Sequence, residues 1–478
     1  MEIFLRIVVV RYVKTMQMVA RQRWLSRASS ILLLGGTVFT LADLLSENHL
    51  FAGAAMVLIV SHILLCWHSV RSNSKIMFLL AILSGLLLIL AGGEVESLAL
   101  AASRALYLPA LLTVMAILRV AATRSKIVST AAHFLVTQSP SRRFALLASG
   151  SHIFGILLNL GGIQLLLTIA LSQRNRLAPT HDIGEVQGQR ITNAVLRGFG
   201  ATILWSPMGL AINMLIPMMP SIDYISYLPY GLGLTVIFFV LGWIFDRLEN
   251  TVHPTFVPPT HEGAGLAMVA LLGLVLSITG LSAVSEALIG IPLRAAILIV
   301  IPLVAVLWVL LTERQPFSNS LTSLAREGFK ALPDSTSEIC LIGASAFLGF
   351  TVVEILPVDH LRKLFESVSI SPGAVGCIVI LLMTAAGQLG LSPMVSALVC
   401  TGAIISSGID VPDLILMIAV MCGWSGTMLI SPFASPLAIA VALTGKPAHE
   451  VGLKWNGSFV VCYYLVIMIV LLIAGAMT

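Results

Sequence analysis

Long apolar runs, separated by short charged connections, constrain this 478-residue chain more than any other feature of its sequence. Hydrophobic residues make up 58% of the chain and charged residues only 10%, whereas a soluble globular protein carries roughly 25% charged residues. An apolar run of about 20 residues is long enough to cross a bilayer as an α-helix. The chain is therefore predicted to be an all-α polytopic membrane protein.

The basic residues predict how the chain is oriented, because Lys and Arg concentrate in cytoplasmic loops. Residues 1–27 alternate basic with apolar positions. This pattern predicts an amphipathic segment on the cytoplasmic leaflet of a bacterial inner membrane rather than a cleavable signal. An extra scaffold span at 28–49 follows. The N-terminus is predicted to be cytoplasmic and the C-terminus periplasmic. Since the net charge of +5 is spread over the connections, no nucleic-acid partner is expected.

Two apolar runs of the first half are interrupted at their centres. The run 144–172 contains Asn159-Leu160-Gly161-Gly162, and each arm of about 14 residues is too short to span. Paired glycines favour a turn, and a single crossing would place the following arginines outside, so a re-entrant hairpin is predicted. The run 191–219 is interrupted by Trp205-Ser206-Pro207. Because proline breaks a helix, this run is predicted to be a broken helix.

The second half repeats both interruptions. A hairpin is predicted at about 371–407 and a broken helix at 411–443, after a short amphipathic stretch at 359–368. Gly198 to Pro207 aligns without gaps on Gly423 to Pro432. We predict two repeats, 50–247 and 264–478, joined by a cytoplasmic linker at 248–263. Each repeat has an odd number of crossings, so the second is inverted and the chain has about 11 transmembrane helices plus two re-entrant hairpins.

This order of spans, interfacial segment, hairpin, broken helix and closing span, given twice, resembles the ion transporter superfamily. That group includes the divalent anion/sodium symporters and the large membrane subunits of TRAP transporters. The resemblance covers nearly the whole chain at the level of architecture, although the symporters' Ser-Asn-Thr signatures are absent. It implies a secondary active transporter in which hairpins and broken helices form a mobile domain that moves by an elevator-type mechanism.

Paired interruptions at matching positions predict a binding site near the bilayer midplane. Helix N-termini attract anions, and carbonyls left unpaired around Pro207 and Pro432 would suit Na⁺. A small polar, anionic solute coupled to Na⁺, or to H⁺, is the expected cargo, with no other cofactor or metal. The candidate solute- and ion-binding residues are Asn159, Gly161, Gly162, Thr202, Ser206, Pro207, Asn213, Gln388, Gly390, Ser392, Thr427, Ser431, Pro432 and Ser435.

Alternatives remain open at this point. The chain could be a TRAP-type subunit that works with a periplasmic binding protein, or a membrane-embedded enzyme. An enzyme is disfavoured because no cluster of His, Asp or Cys occurs with the spacing of a metal or nucleophile site. Glu338 and Glu354, near predicted span ends, are candidates for proton coupling. Membrane lipid is an expected partner, and a homodimer is compatible with the sequence.

Overall fold

The computed structural model describes residues 25–46, 49–138, 140–177, 181–248, 263–313, 315–356, 362–363 and 370–477. The predicted basic segment 1–27, linker 248–263 and amphipathic stretch 359–368 lie almost entirely outside these residues. The described part of the chain is α-helical and contains no β-strand. The all-α prediction is therefore confirmed.

The helices of the first half are α1 Leu25–Ser46, α2 His49–Leu65, α3 Ser72–Leu90, α4 Val95–Thr123, α5 Lys126–Val136, α6 Pro140–Leu158, α7 Leu160–Leu177, α8 His181–Gly200, α9 Leu210–Leu215 and α10 Tyr224–Leu248. Those of the second half are α11 Ala264–Ile289, α12 Leu293–Thr312, α13 Phe317–Ala331, α14 Thr336–Ile355, α15 Pro372–Gln388, α16 Pro393–Ser407, α17 Asp413–Ile430, α18 Ser435–Thr444 and α19 Trp455–Met477.

Nine segments within the described ranges are long and apolar enough to cross a bilayer, so the chain is a multi-pass membrane protein. The sequence prediction of about 11 crossings counted two more. One is α2, whose 17 residues extend about 26 Å at 1.5 Å per residue, less than the roughly 30 Å of the hydrocarbon core. The other is the run 191–219, which connects opposite ends of the helix bundle but contains the buried Arg197 and leaves the α-helical conformation at Ala201.

Helix α13 was not predicted from the sequence, because its polar composition hides it from a search for apolar runs. Its buried residues are Ser320, Leu324 and Gly328. These are spaced four apart and therefore lie on one helical face. The hydroxyl of Ser30 in α1 donates to the carbonyl of Phe329 at 2.7 Å, which ties α13 to the first span.

Helices α6 and α7 form the first hairpin, and its turn differs from the prediction. Asn159 alone separates the two helices and has a φ of 52°, a left-handed conformation that asparagine adopts more readily than most residues. Gly161 and Gly162 lie instead in the first turn of α7. A Cβ at Gly162 would be 2.6 Å from the carbonyl oxygen of Phe154. This glycine therefore permits close contact between the two arms.

Helices α15 and α16 form the second hairpin, and its first arm ends in a Schellman motif. Gly390 has a φ of 97°. The amide of Leu391 donates to the carbonyl of Ala386 at 3.0 Å, and that of Gly390 to the carbonyl of Gly387 at 3.4 Å, the two bonds that define this motif. Ser392 then caps α16 by accepting a hydrogen bond from the amide of Met394 at 3.3 Å.

In each half, the first arm of the hairpin runs parallel to the broken helix that follows it. In the first half, Ser151 of α6 donates to the carbonyl of Val195 at 2.7 Å, and Gly155, four residues later, lies against Phe199. In the second half, Gly376 of α15 lies against Ile415 and Ala419, and Gly387 against Thr427. Since α6 and α8 run in the same direction, α7 returns the chain to the end at which α6 began.

The two broken helices meet at equivalent positions. The first is interrupted between Gly200, the end of α8, and Leu210, the start of α9; the second between Ile430 and Ser435. The hydroxyl of Ser425 donates to the carbonyl of Gly200 at 3.0 Å. In the alignment of the two halves, position 200 corresponds to position 425, so two equivalent residues contact each other.

Contacts at the helix ends show which ends lie together. Arg190, in α8, pairs with Asp246 at the end of α10, with an Nη2–Oδ2 distance of 2.6 Å. At the opposite end of α10, the hydroxyl of Ser221 donates to Asp413 Oδ2 at 2.6 Å, beside the start of α17. The start of α8 and the end of α10 therefore share one end of the helix bundle.

This arrangement predicts the membrane side of the first hairpin. Ser172, exposed in α7, should be reached from the same side as the start of α8, which the basic residues assign to the cytoplasm. In a chain whose six cysteines are replaced, we expect an impermeant thiol reagent to label Ser172→Cys in inverted vesicles but not in intact cells. Asp223→Cys, in the loop before α10, should show the reverse. Labelling of Ser172→Cys in intact cells would mean that α6 or α7 crosses the whole bilayer.

The pair Arg190–Asp246 is also expected to be important for stability, because only 5% of each side chain is exposed. Breaking a buried ion pair by removing one of its two charges costs about 3–5 kcal/mol. Asp246→Asn should therefore markedly lower the thermal stability of the purified protein. The matched control is Glu185→Gln, because Glu185 pairs with Lys446 at 2.6 Å but both side chains are substantially exposed. An exposed pair is worth roughly 0.2–1 kcal/mol, and equal losses in the two variants would contradict the assignment.

Candidate functional site

The second hairpin is joined to the second broken helix by a group of hydroxyl side chains. Ser431 donates to the carbonyl of Gly387 at 2.6 Å and accepts a hydrogen bond from the amide of Phe433 at 3.3 Å. A Cβ at Gly387 would collide with Thr427. The absence of a side chain therefore lets the end of α15 lie directly on α17, with the tip of the hairpin beside the helix break.

Three hydroxyl groups meet next to this junction and define what we call the hydroxyl cluster: Thr384, Thr427 and Tyr464. The Thr384 hydroxyl donates to Tyr464 Oη at 3.1 Å, and Thr427 Oγ1 lies 3.3 Å from both of the other oxygens. Tyr464 in turn donates to the carbonyl of Gly423 at 3.0 Å. Sequence reasoning identified Thr427 but missed Thr384 and Tyr464, because neither belongs to the repeated motif.

The tip of the second hairpin and the break beside it are exposed. Gly390 lies beneath the ring of Phe433, because a Cβ added to Gly390 would be 3.5 Å from that ring. Phe433 itself is 64% exposed. The side-chain nitrogen of Gln388 is buried and has no hydrogen-bond partner among the described residues. Ser435 begins α18, on the far side of Pro432. The structure thus brings together the predicted site residues Gln388, Gly390, Ser392, Thr427, Ser431, Pro432 and Ser435 around one hairpin tip and one break.

The backbone carbonyls at the first break have other hydrogen-bond partners, and here one expectation from the sequence is wrong. The carbonyls around Pro207 were expected to be free for a cation. Instead, the hydroxyl of Tyr227 donates to the carbonyl of Leu204 at 2.9 Å, and that of Tyr224 to the carbonyl of Trp205 at 3.2 Å. Tyrosines of α10 therefore satisfy the backbone that the break exposes.

Asn213 completes this arrangement from α9. Its side-chain nitrogen donates to the carbonyls of Pro207, at 2.6 Å, and Gly209, at 2.8 Å. Its oxygen accepts a hydrogen bond from Tyr107 of α4 at 2.9 Å. Asn213 was predicted to be a ligand, but its hydrogen-bonding groups stabilise the break.

The two predicted hydroxyl residues of the first break have contrasting surroundings. Thr202 donates to the carbonyl of Phe199, within its own helical turn, at 2.7 Å. The hydroxyl of Ser206 is fully buried and has no partner in the part of the chain that the structure describes. Trp205 is held beside them because its indole nitrogen donates to His152 Nε2 at 2.8 Å, which leaves Nδ1 of the neutral imidazole to donate to the carbonyl of Gly198.

The tip of the first hairpin contacts the spans α4 and α14, whereas the tip of the second lies beside a helix break. Asn159 Nδ2 donates to Glu338 Oε1, at the start of α14, at 2.9 Å. The other oxygen of Glu338 lies 3.8 Å from Arg119 Nη2, in α4. Gly161 lies against the Arg119 side chain. Sequence analysis did not single out Arg119, because a basic residue at the end of an apolar run is the usual orientation signal.

Comparison with protein-family models finds no match, and comparison with curated proteins finds none either. Among solved structures, the chain is similar to the Alcanivorax borkumensis YdaH transporter, whose crystal structure is described as revealing an unusual topology. The TM-score is 0.50 at 12% sequence identity, and the alignment covers 84% of this chain and 98% of that one. The chain therefore shares its fold with that transporter.

The different surroundings of the two aligned serines yield a prediction. Ser431→Ala removes a hydrogen bond and leaves the Gly387 carbonyl with one partner fewer, which costs about 0.5–1.5 kcal/mol. Ser206→Ala removes a hydroxyl that makes no such bond, so it should leave stability unchanged or raise it slightly. Thermal unfolding of the two purified variants beside the wild type measures both effects. A larger loss for Ser206→Ala would contradict the hydrogen-bond pattern.

Proposed function

We propose that the chain is a secondary active transporter of the inner membrane that carries a small polar, anionic solute, coupled to Na⁺ or to H⁺. The observation that carries this proposal is the meeting of a hairpin tip with a helix break in the second half, next to the hydroxyl cluster. Broken helices at matching positions in two repeats are the usual site of solute and coupling-ion binding in transporters. The shared fold with a transporter supports the same class of function.

The chemistry of the second break favours a hard cation such as Na⁺. Hydroxyl and carbonyl oxygens lie close to this break: the Oγ1 atoms of Thr384 and Thr427 are 3.3 Å apart, and the carbonyl of Gly387 accepts a hydrogen bond from Ser431. Oxygen ligands suit hard cations. The interrupted helix also presents the N-terminus of α18, whose positive dipole end favours an anion. Cation and anionic solute would therefore bind on the two sides of one break.

The packing of the helices supports an elevator-type movement of one body against another. Helices α6, α8, α15 and α17 are joined by glycine contacts and by the bond from Ser425 to Gly200. The spans α3 and α14 are joined separately by a 2.7 Å hydrogen bond between the hydroxyls of Ser84 and Thr351. Among the described residues, the hydrogen bond from Asn159 to Glu338 links the first hairpin to α14, and α16 packs against α14 through Gly349 and Gly402. A body held by such contacts can move without breaking its own core.

Binding of Na⁺ to the purified protein tests the cation site directly. Thr427→Val replaces the hydroxyl at constant shape, and the lost ligand should weaken Na⁺ affinity by about two- to tenfold, the equivalent of one hydrogen bond. The matched control is Thr444→Val, because the bonds of Thr444 among the described residues are local, to the carbonyl of Ala440 within α18 and from the amide of Lys446. Equilibrium binding of ²²Na⁺, with K⁺ as competitor, provides the measurement. Superimposable titrations for Thr427→Val and wild type would exclude this cluster as a Na⁺ site.

Transport itself is tested in proteoliposomes. We expect an inward Na⁺ gradient, or failing that a proton gradient, to drive uptake of at least one member of a panel of labelled small carboxylates. The uptake should stop when the gradient is collapsed by an ionophore. Uptake that is indifferent to both gradients would contradict secondary active transport and would favour a channel or a subunit that needs a partner.

A further inference from the structure

A cavity of about 350 Å³ lies beside the tip of the first hairpin, between the last turns of α4 and the start of α7. Its polar lining consists of Arg119, Thr123, Gln164 and Thr168, and Leu165 and Ile169 form part of its apolar wall. None of its lining residues comes from a broken helix. The cavity is therefore separate from the site at the second break.

Arg119 is the charged group of this cavity, and its donors are poorly used. Its Nε is buried and has no hydrogen-bond partner within the described ranges. Its Nη2 is 3.8 Å from Glu338 Oε2, whereas a charge-assisted hydrogen bond between such groups is usually about 2.7–2.9 Å long. The other oxygen of Glu338 accepts a hydrogen bond from Asn159. The guanidinium therefore has a loosely held internal carboxylate, and the Arg119 side chain, 29% exposed, lines the cavity.

We propose that this cavity binds an organic anion, with Arg119 as the recognition residue and Glu338 as an internal carboxylate that the anion displaces. A guanidinium binds a carboxylate or phosphate oxygen pair through two parallel N–H donors. Gln164 and Thr168 can add hydrogen bonds, and Leu165 and Ile169 cover the apolar part of the ligand. When the anion is bound, Glu338 keeps its hydrogen bond from Asn159 and loses its contact with Arg119, so occupancy loosens the attachment of α4 to α14.

The chemistry fits two sources: a soluble carboxylate with an apolar body, or the anionic headgroup of a lipid. Modification of arginine by phenylglyoxal, read at each residue by mass spectrometry, distinguishes them in the full-length protein. In nanodiscs of phosphatidylcholine alone, hexanoate should slow modification of Arg119 in a saturable manner. Acetate, which lacks the apolar chain, should protect only at higher concentration. Arg142, exposed at the start of α6, is the internal control and should not be protected.

The displacement of Glu338 has its own test. Glu338→Gln removes the internal competitor, so hexanoate should bind about two- to fivefold more tightly, the range expected for a partly exposed ion pair. Glu354→Gln, which changes an exposed carboxylate at the other end of the same helix, should have no effect. Protection that is unchanged in Glu338→Gln would overturn the displacement.

The lipid source is tested by adding phosphatidylglycerol to the nanodiscs. If this lipid alone protects Arg119 and hexanoate adds nothing, the bound anion is a headgroup and the site stands with that ligand. If neither hexanoate nor phosphatidylglycerol protects Arg119 in the wild type or in Glu338→Gln, the cavity is not an anion site. Because the readout is modification of one residue, this result is independent of Na⁺ binding and of transport.

Discussion

Where a membrane helix stops within the bilayer, its terminal backbone groups have no helical hydrogen bonds. They must find partners inside the protein, since lipid offers none. The rest of this structure depends on how that requirement is met at two breaks. At the first, side chains of α9 and α10 donate to the backbone carbonyls, from Asn213, Tyr224 and Tyr227. At the second, Ser431 accepts a hydrogen bond from the amide of Phe433 within the break and donates to the carbonyl of Gly387 in the neighbouring hairpin. The first break is satisfied by the helices around it, whereas the second uses its own serine, which also holds the hairpin tip.

The two halves share a motif, but this difference gives their breaks different surroundings. A break whose carbonyls are occupied by tyrosines is a rigid element, and its buried Pro207 is enclosed. A break whose partners are small hydroxyls lies instead next to Pro432 and Phe433, which are exposed. The repeated sequence thus specifies the same interruption twice, while residues outside the motif decide which copy is enclosed and which is exposed.

The sequence predicted the architecture well, because in a membrane protein a small number of features determines where the helices lie. The helices could be located from the uninterrupted apolar runs. Most interruptions could be located from Pro207, Pro432 and the polar centres of the two hairpin runs. The turn at Asn159 was misplaced onto Gly161 and Gly162, because glycine serves close packing as readily as it serves turns. Helix α13 was not predicted, because its apolar stripe is narrow. The partners of the breaks, such as Tyr464 and Tyr227, could not be predicted, because they lie far away in sequence and carry no local signal.

The contact between Ser425 and Gly200 has a consequence for the symmetry of the chain. In two identical polypeptides paired about a two-fold axis, a side chain that donates to the backbone carbonyl of its own copy makes that bond twice, once in each direction. The two halves of a single chain carry no such constraint, because each can change alone. Here position 425 is a serine and the equivalent position 200 is a glycine, so the bond of 3.0 Å runs in one direction only. A single chain can therefore hold one unreciprocated bond between equivalent positions, which a strictly symmetric pair cannot.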